Sequence, residues 1–150
     1  MNKKGTYVAV RFNKHSQDLI DGFVKRNNVP NPLPLEDIHS TILYSRKHCE
    51  GLELEPNILH TCMVDGMEVW PSKSGKHCLV LKLNCPSLVK RHEELMKKHD
   101  ATYDYKEYKP HITISYDIGD TPISSFVEPK GMILIGTKEY YEDLDLEKYS

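Results

Sequence analysis

Two histidines in this chain are each followed, two positions later, by a threonine, in His39-Ser40-Thr41 and His111-Ile112-Thr113. One such triplet would be unremarkable in 150 residues with 7 threonines, but both lie in β-branched, apolar runs that predict strands. Side chains at positions i and i+2 of a strand point to the same face, about 7 Å apart along it. Each triplet therefore presents an imidazole and a hydroxyl on one face.

These residue types suit acid–base chemistry on a phosphate. Imidazole titrates near pH ~6.5, so one ring can accept a proton while a second, protonated ring donates one. Threonine hydroxyls can donate hydrogen bonds to phosphate oxygens as charge develops on them. We therefore predict His39, Thr41, His111 and Thr113 as catalytic residues around one phosphate, in an arrangement that needs no metal or other cofactor. The alternative is two unrelated strand histidines, and the sequence leaves open which histidine is base and which is acid.

The elements that would position these residues occur twice in the same order: strand, helix, loop, strand. In the first half, the sequence predicts strand 6–12, helix 16–27 with Ser16 as N-cap, a proline-rich loop and strand 38–45. In the second half, it predicts strand 77–84, a helix from Pro86 to about His99 and strand 110–116. Two further strands are predicted over 59–70, broken near Asp65-Gly66 by a hairpin signal, and over 131–141. The repetition predicts an α+β fold of two lobes related by a pseudo-twofold axis.

Length and composition fit one folded domain. With 39% hydrophobic and 28% charged residues, disorder, coiled coil and collagen are excluded. The net charge of −2 gives no basic footprint for long nucleic acid. No hydrophobic run exceeds four residues, as in Met132–Ile135, so neither a membrane helix nor a signal peptide is predicted, and we expect a cytoplasmic protein.

The four cysteines, at positions 49, 62, 78 and 85, contain no C-x-x-C pair. Two of them follow histidines, in His48-Cys49 and His77-Cys78, so a metal cluster is conceivable. The simpler interpretation is reduced cytosolic thiols, several of them buried as small hydrophobic residues. We therefore predict no metal site.

The paired motif resembles that of the 2H phosphoesterases, also called LigT-like proteins, and Lys109-Pro110-His111-Ile112-Thr113-Ile114-Ser115-Tyr116 is especially similar to their second motif. The chain length and the residues around the first motif, 38–46, are similar to those of one branch of this family, the anti-CBASS proteins of tailed phages. This similarity covers essentially the whole chain. The resemblance implies a single 2H phosphoesterase domain over residues 1–150, with two pseudo-twofold-related antiparallel sheets, outer helices and a central cleft. It also implies activity against the cyclic oligonucleotide signals of bacterial immunity, in the host cytoplasm.

A nucleotide substrate needs stacking surfaces and a partner for base edges. Tyr7 on the first strand and Trp70, the only tryptophan, are candidate stacking residues, and Glu139 near the end of the last strand is a candidate for a base amino group. The resemblance implies a base-binding tyrosine and glutamate in about these places. The alternatives are a core or hinge role for Trp70 and a solvated charge for Glu139. Three further tyrosines, at positions 103, 105 and 108, lie in the loop before the second motif. This loop either covers a ligand or simply connects two elements at the surface.

The paired motif, taken with this resemblance, implies a phosphodiesterase that opens cyclic di- or trinucleotides at 3′–5′ bonds, with the substrate's own 2′-hydroxyl as nucleophile. A 2H activity on 2′–5′ oligoadenylate or on RNA 2′,3′-cyclic phosphate ends stays open, as does a module that sequesters the nucleotide without cleavage. No membrane and no long nucleic acid are expected as partners. The nucleotide preference and the oligomeric state are not determined by the sequence.

Overall fold

The structure is a computed structural model that describes residues 4–72, 74–105 and 107–144. Its strands are β1 (Gly5–Phe12), β2 (His39–Ser45), β3 (His60–Pro71), β4 (His77–Asn84), β5 (His111–Ser115) and β6 (Ile133–Leu144). The helices are α1 (Lys14–Asn27) and α2 (Pro86–His99), with short 3₁₀ turns at Leu35–Asp37 and Ile123–Ser125. The elements predicted from the sequence are therefore present, and the α+β class is confirmed.

The strands form one antiparallel sheet in the order β2-β1-β6-β3-β4-β5. We expected two sheets, and the difference lies in β6. Its first residues pair with β3, from Ile133 to Gly136, and the rest of the strand pairs with β1. The two three-stranded halves are thereby joined, and each His-x-Thr motif lies on an outer strand of the sheet.

The two faces of the sheet differ in character. Residues such as Val8 and Val10 point to one face and pack with Ile20 of α1 and Leu88 of α2 in a continuous hydrophobic core. The other face carries the half-buried positions of the same strands, including Tyr7 and Arg11 on β1. This second face, which we call the cleft face, lies opposite the helices and holds both motifs.

Two local predictions were wrong. Helix α1 begins at Lys14 rather than Ser16, because the Asn13 side chain caps it by accepting the Ser16 amide at 2.9 Å. The buried Ser16 hydroxyl instead accepts the Ile135 amide of β6 at 2.7 Å. At Asp65-Gly66 the chain makes no hairpin: β3 continues, with a register shift between Val64 and Gly66 where it pairs with β4.

Candidate active site

Strand pairing places the two motifs on the cleft face in matching positions. On β2, His39 pairs with Arg11 of β1; on β5, His111 pairs with Lys82 of β4. His39, Thr41, His111 and Thr113 are all half-buried, whereas the intervening Ser40 and Ile112 are fully buried. The predicted alternation is therefore present in both strands.

Each histidine makes the same hydrogen bond. The Nδ1 of His39 lies 2.8 Å from the Asp37 carbonyl oxygen, and that of His111 lies 2.9 Å from the Lys109 carbonyl oxygen. A carbonyl oxygen only accepts, so Nδ1 carries a proton in both rings. Consequently Nε2 is the nitrogen that gains or loses a proton, and both rings are held in one orientation by the residue two positions earlier.

The two outer strands meet, which brings the motifs together. The Ser40 hydroxyl of β2 donates to the carbonyl oxygen of His111 on β5 at 2.8 Å, across 71 residues of sequence. The sheet is therefore curved until its two edges touch.

Side chains from α2 and the following loop hold β2 along its outer edge. The Tyr108 hydroxyl donates to the Thr41 carbonyl at 2.7 Å, and His92 Nδ1 donates to the Ile42 carbonyl at 2.7 Å. The rings of His92 and Tyr108 are stacked, with centroids 4.2 Å apart and an interplanar angle of 7°. These bonds satisfy backbone acceptors that an edge strand would otherwise leave open, and they fix the strand that carries His39.

Tyr7 lies beside the first motif. Its hydroxyl is 2.8 Å from Thr41 Oγ1, and its ring meets that of His39 edge to face, with centroids 6.2 Å apart. Burial raises the pKa of Tyr7, so the phenol stays protonated and available as a donor. The Tyr140 ring lies 6.5 Å from both Tyr7 and His39. The structure thus brings Tyr7 together with His39 and Thr41 on the cleft face.

Trp70 lies beside the second motif. Its ring centroid is 4.5 Å from that of His111, and its indole N–H donates to Glu68 at 2.8 Å. Trp70 and His111 line a cavity of about 490 Å³ together with Tyr103, Tyr105, Glu107 and Lys109. Tyr103 and Tyr105 of the loop before β5 therefore line a cavity next to a motif histidine.

The environment of His111 favours its neutral form. Burial lowers the pKa of His111, and the nearby charge of His39 lowers it further, while the hydrogen bond to Lys109 acts in the opposite direction. The electrostatic coupling of the two rings means that protonation of one disfavours protonation of the other. A pair with one neutral and one protonated imidazole is the state that acid–base catalysis requires.

Glu139 lies on the opposite face of the sheet from the motifs. It is 5% exposed, and both of its carboxylate oxygens accept bonds from Arg91 of α2, at 2.9 and 3.0 Å. An acceptor in that position is already occupied and does not face the cleft. The structure therefore does not bring Glu139 together with the histidines, because the alternation of β6 directs it toward the helices.

Sequence reasoning missed several cleft-face residues. Arg11 and Lys138 pair across β1 and β6, Tyr140 follows on the same face, and Lys82 forms an ion pair with Glu68 at 3.4 Å. The alternation of β1 alone already places Arg11 on the face of Tyr7. The positions on β3 and β6 required knowledge of the bulges and of the strand order.

Within the described parts of the chain, all four cysteines are free, and no cluster of three or more histidine, cysteine or acidic side chains is placed to hold a metal ion. No helix in those parts is long and apolar enough to span a bilayer.

Solved structures share this fold. The Escherichia coli LigT complexed with 3′-AMP superimposes with a TM-score of 0.60 at 12% identity, covering 96% of each chain. The E. coli LigT complexed with phosphate superimposes with a TM-score of 0.57 at 12% identity, covering 97% of this chain and 96% of the LigT chain. The fold is that of the LigT-like 2H phosphoesterases.

Sequence comparison narrows the class. Residues 4–150 match the family model described as Anti-CBASS protein Acb1. The Acb1 of Vibrio phage KVP40 is 35% identical over 147 residues, spanning 98% of this chain and 92% of the relative. The Acb1 of Enterobacteria phage T4 is 34% identical over 143 residues, spanning 95% of this chain and 90% of the relative. The chain belongs to the Acb1 family of anti-CBASS proteins, which confirms the resemblance seen in its motifs.

Proposed function

We propose that this protein is a metal-independent phosphodiesterase that opens cyclic di- and trinucleotide signals at a 3′–5′ bond. It thereby counters CBASS immunity in the cytoplasm of the infected bacterium. The observation that carries the proposal is the matched pair of Nδ1–H···O=C bonds, which leaves the Nε2 atoms of His39 and His111 for proton transfer on two touching strands. Membership of the Acb1 family supports the choice of a CBASS signal as substrate.

In the proposed reaction the ribose 2′-oxygen attacks the adjacent phosphorus. One Nε2 accepts the 2′-hydroxyl proton while the other, protonated, donates to the departing 5′-oxygen. The P–O2′ bond forms and the P–O5′ bond breaks, giving a linear nucleotide with a 2′,3′-cyclic phosphate. Thr41 and Thr113 donate to the non-bridging oxygens. Because the 2′-hydroxyl already lies beside the phosphorus, the attack has a high effective concentration and needs no nucleophile from the protein.

The lowered pKa of His111 suits it to the base role, since it remains neutral at pH values where an ordinary histidine is partly protonated. His39 is then the acid. Tyr7 and Trp70, each in contact with a motif histidine, supply aromatic surfaces for the two nucleosides on either side of the phosphate. One domain over residues 1–150 contains all of these groups.

A panel of substrates tests the proposal. The protein is incubated with cyclic dinucleotides, cyclic trinucleotides and 2′–5′ oligoadenylate, and the products are resolved by chromatography. We expect linear products from the cyclic substrates. A cyclic dinucleotide with 2′-deoxyriboses should compete for binding yet stay intact.

Three outcomes would contradict the proposal. Cleavage of the deoxy ring at the ribo rate would show that water attacks directly. Turnover of 2′–5′ oligoadenylate alone would assign the second 2H activity. Tight binding of every ring with no turnover would assign a sequestering module.

A further inference from the structure

Two cationic side chains and a motif histidine stand in a row across three neighbouring strands of the cleft face. Arg11 of β1 is directly opposite His39 of β2 on one side and Lys138 of β6 on the other. Like charges placed directly opposite in antiparallel strands repel each other. A row of this kind is relieved when an anion lies over it.

The acidic side chains that the structure describes do not neutralise this row. In the described ranges 4–72, 74–105 and 107–144, no carboxylate lies within ion-pair distance of Arg11 or Lys138. The guanidinium of Arg11 lies 4.3 Å above the centroid of the Tyr140 ring, and its Nε is buried without a hydrogen-bond partner. A guanidinium that is stacked on an aromatic ring and has no carboxylate partner among the described residues is suited to binding phosphate oxygens.

The other half of the cleft differs. Lys82 occupies the position opposite His111 that Arg11 occupies opposite His39, but Lys82 is paired with Glu68 at 3.4 Å. Glu68 also accepts the indole N–H of Trp70. The two halves therefore differ at this position: the cation opposite His111 has a carboxylate partner, and the cation opposite His39 has none among the described residues.

Lys138 is the member of the row farthest from the reacting phosphate. The reacting phosphate lies between the motifs on β2 and β5, whereas Lys138 lies on β6, two strands and ~10 Å across the sheet from β2. Arg11, on the strand between them, stacks its guanidinium on the Tyr140 ring of β6. We propose that Arg11 and Lys138 bind a second phosphodiester of the cyclic substrate, one that is not cleaved while they hold it. This inference rests on the proposed function, and it explains how a ring with several phosphates is distinguished from a linear substrate with one.

The test compares two substrates that differ in the second phosphate. Cyclic di-AMP carries two phosphodiesters, and the linear dinucleotide ApA carries one with the same 2′-hydroxyl beside it. We expect Arg11→Gln to raise KM for cyclic di-AMP by about 10- to 100-fold, the loss typical of hydrogen bonds to a charged group, with kcat nearly unchanged. Cleavage of ApA should be unaffected. Lys138→Gln should show the same pattern with a smaller rise, and Arg26→Gln, on the exposed side of α1, is the matched control.

An equal loss on both substrates, or a fall in kcat alone, would place Arg11 at the reacting phosphate and overturn the inference. So would an unchanged KM for cyclic di-AMP. The melting temperature of the free protein should not fall in Arg11→Gln, because the substitution relieves repulsion. A lower melting temperature with unchanged affinity would make Arg11 a purely structural residue.

Calorimetry keeps this test independent of the proposed cleavage. Cyclic di-AMP is titrated into His111→Ala and into the double variant His111→Ala/Arg11→Gln, where no turnover interferes. If the double variant binds cyclic di-AMP about 10- to 100-fold more weakly than His111→Ala does, the second phosphate site is supported even if the protein cleaves nothing. Equal binding refutes it even if cleavage is as proposed.

Discussion

Glu139→Gln separates a structural role of this residue from a substrate-binding role. Its carboxylate and the guanidinium of Arg91 form two hydrogen bonds, at 2.9 and 3.0 Å, and the Glu139 side chain has no solvent exposure. Removing one charge of a buried ion pair costs about 3–5 kcal/mol when nothing replaces it. The amide retains one acceptor, and the carboxylates of Glu55 and Glu94 lie 3.8 Å from Arg91 Nη1, so we expect a loss somewhat below that range, about 2–3 kcal/mol.

Urea unfolding followed by circular dichroism measures this loss. With a slope of about 2 kcal/mol/M, the midpoint of Glu139→Gln should fall by about 1–1.5 M. Asp18→Asn, which removes an exposed i,i+4 pair with Lys14, should leave the midpoint unchanged and is the control. KM for the cyclic substrate should be that of the wild type below the unfolding transition. An unaltered midpoint together with a raised KM would show that Glu139 contacts the nucleotide, and our account of this residue would be refuted.

Further predictions concern the histidines and their supports. His39→Ala and His111→Ala should each lower kcat by several orders of magnitude, and the double variant should lose little more. A single variant that retains a tenth of the wild-type rate would exclude that histidine from the mechanism. Excess EDTA should leave the wild-type rate unchanged. Burial lowers the pKa of His92, so below about pH 6.5 the unfolded chain binds more protons than the folded one, and stability should fall from there as the pH drops toward 5. Urea midpoints across this range check the slope, which should be shallower in His92→Gln. Tyr108→Phe leaves the Thr41 carbonyl without its donor and should lower the free energy of unfolding by about 1–2 kcal/mol; an unchanged value would mean that water replaces the hydroxyl.

The sequence was sufficient for the parts of the site that depend on local alternation. His39 and Thr41, and likewise His111 and Thr113, share a face because a strand has a period of two, and the cleft position of Tyr7 follows from the same rule.

The same rule was insufficient where long-range pairing decides the face. Glu139 lies on β6, whose register against β1 shifts near Gly136, so counting along the strand does not reveal which side meets α2. Asp65-Gly66 has the composition of a hairpin turn, but pairing with β4 on both sides of it keeps β3 continuous. The joining of the halves by β6 has no local signature at all, because it depends on which strands become neighbours.

The contact between Ser40 and His111 has a consequence for how the protein acquires its activity. It joins residues 71 positions apart, and the strands that it joins are the two ends of the sheet order. Loop-closure entropy must be overcome before such a distant contact can form, so it belongs among the slow steps of folding. During synthesis the first motif emerges long before the second, and no intermediate that lacks β5 can bring two imidazoles to one phosphate. The proposed turnover therefore requires complete folding, and its recovery after dilution from urea should lag behind recovery of the helical signal.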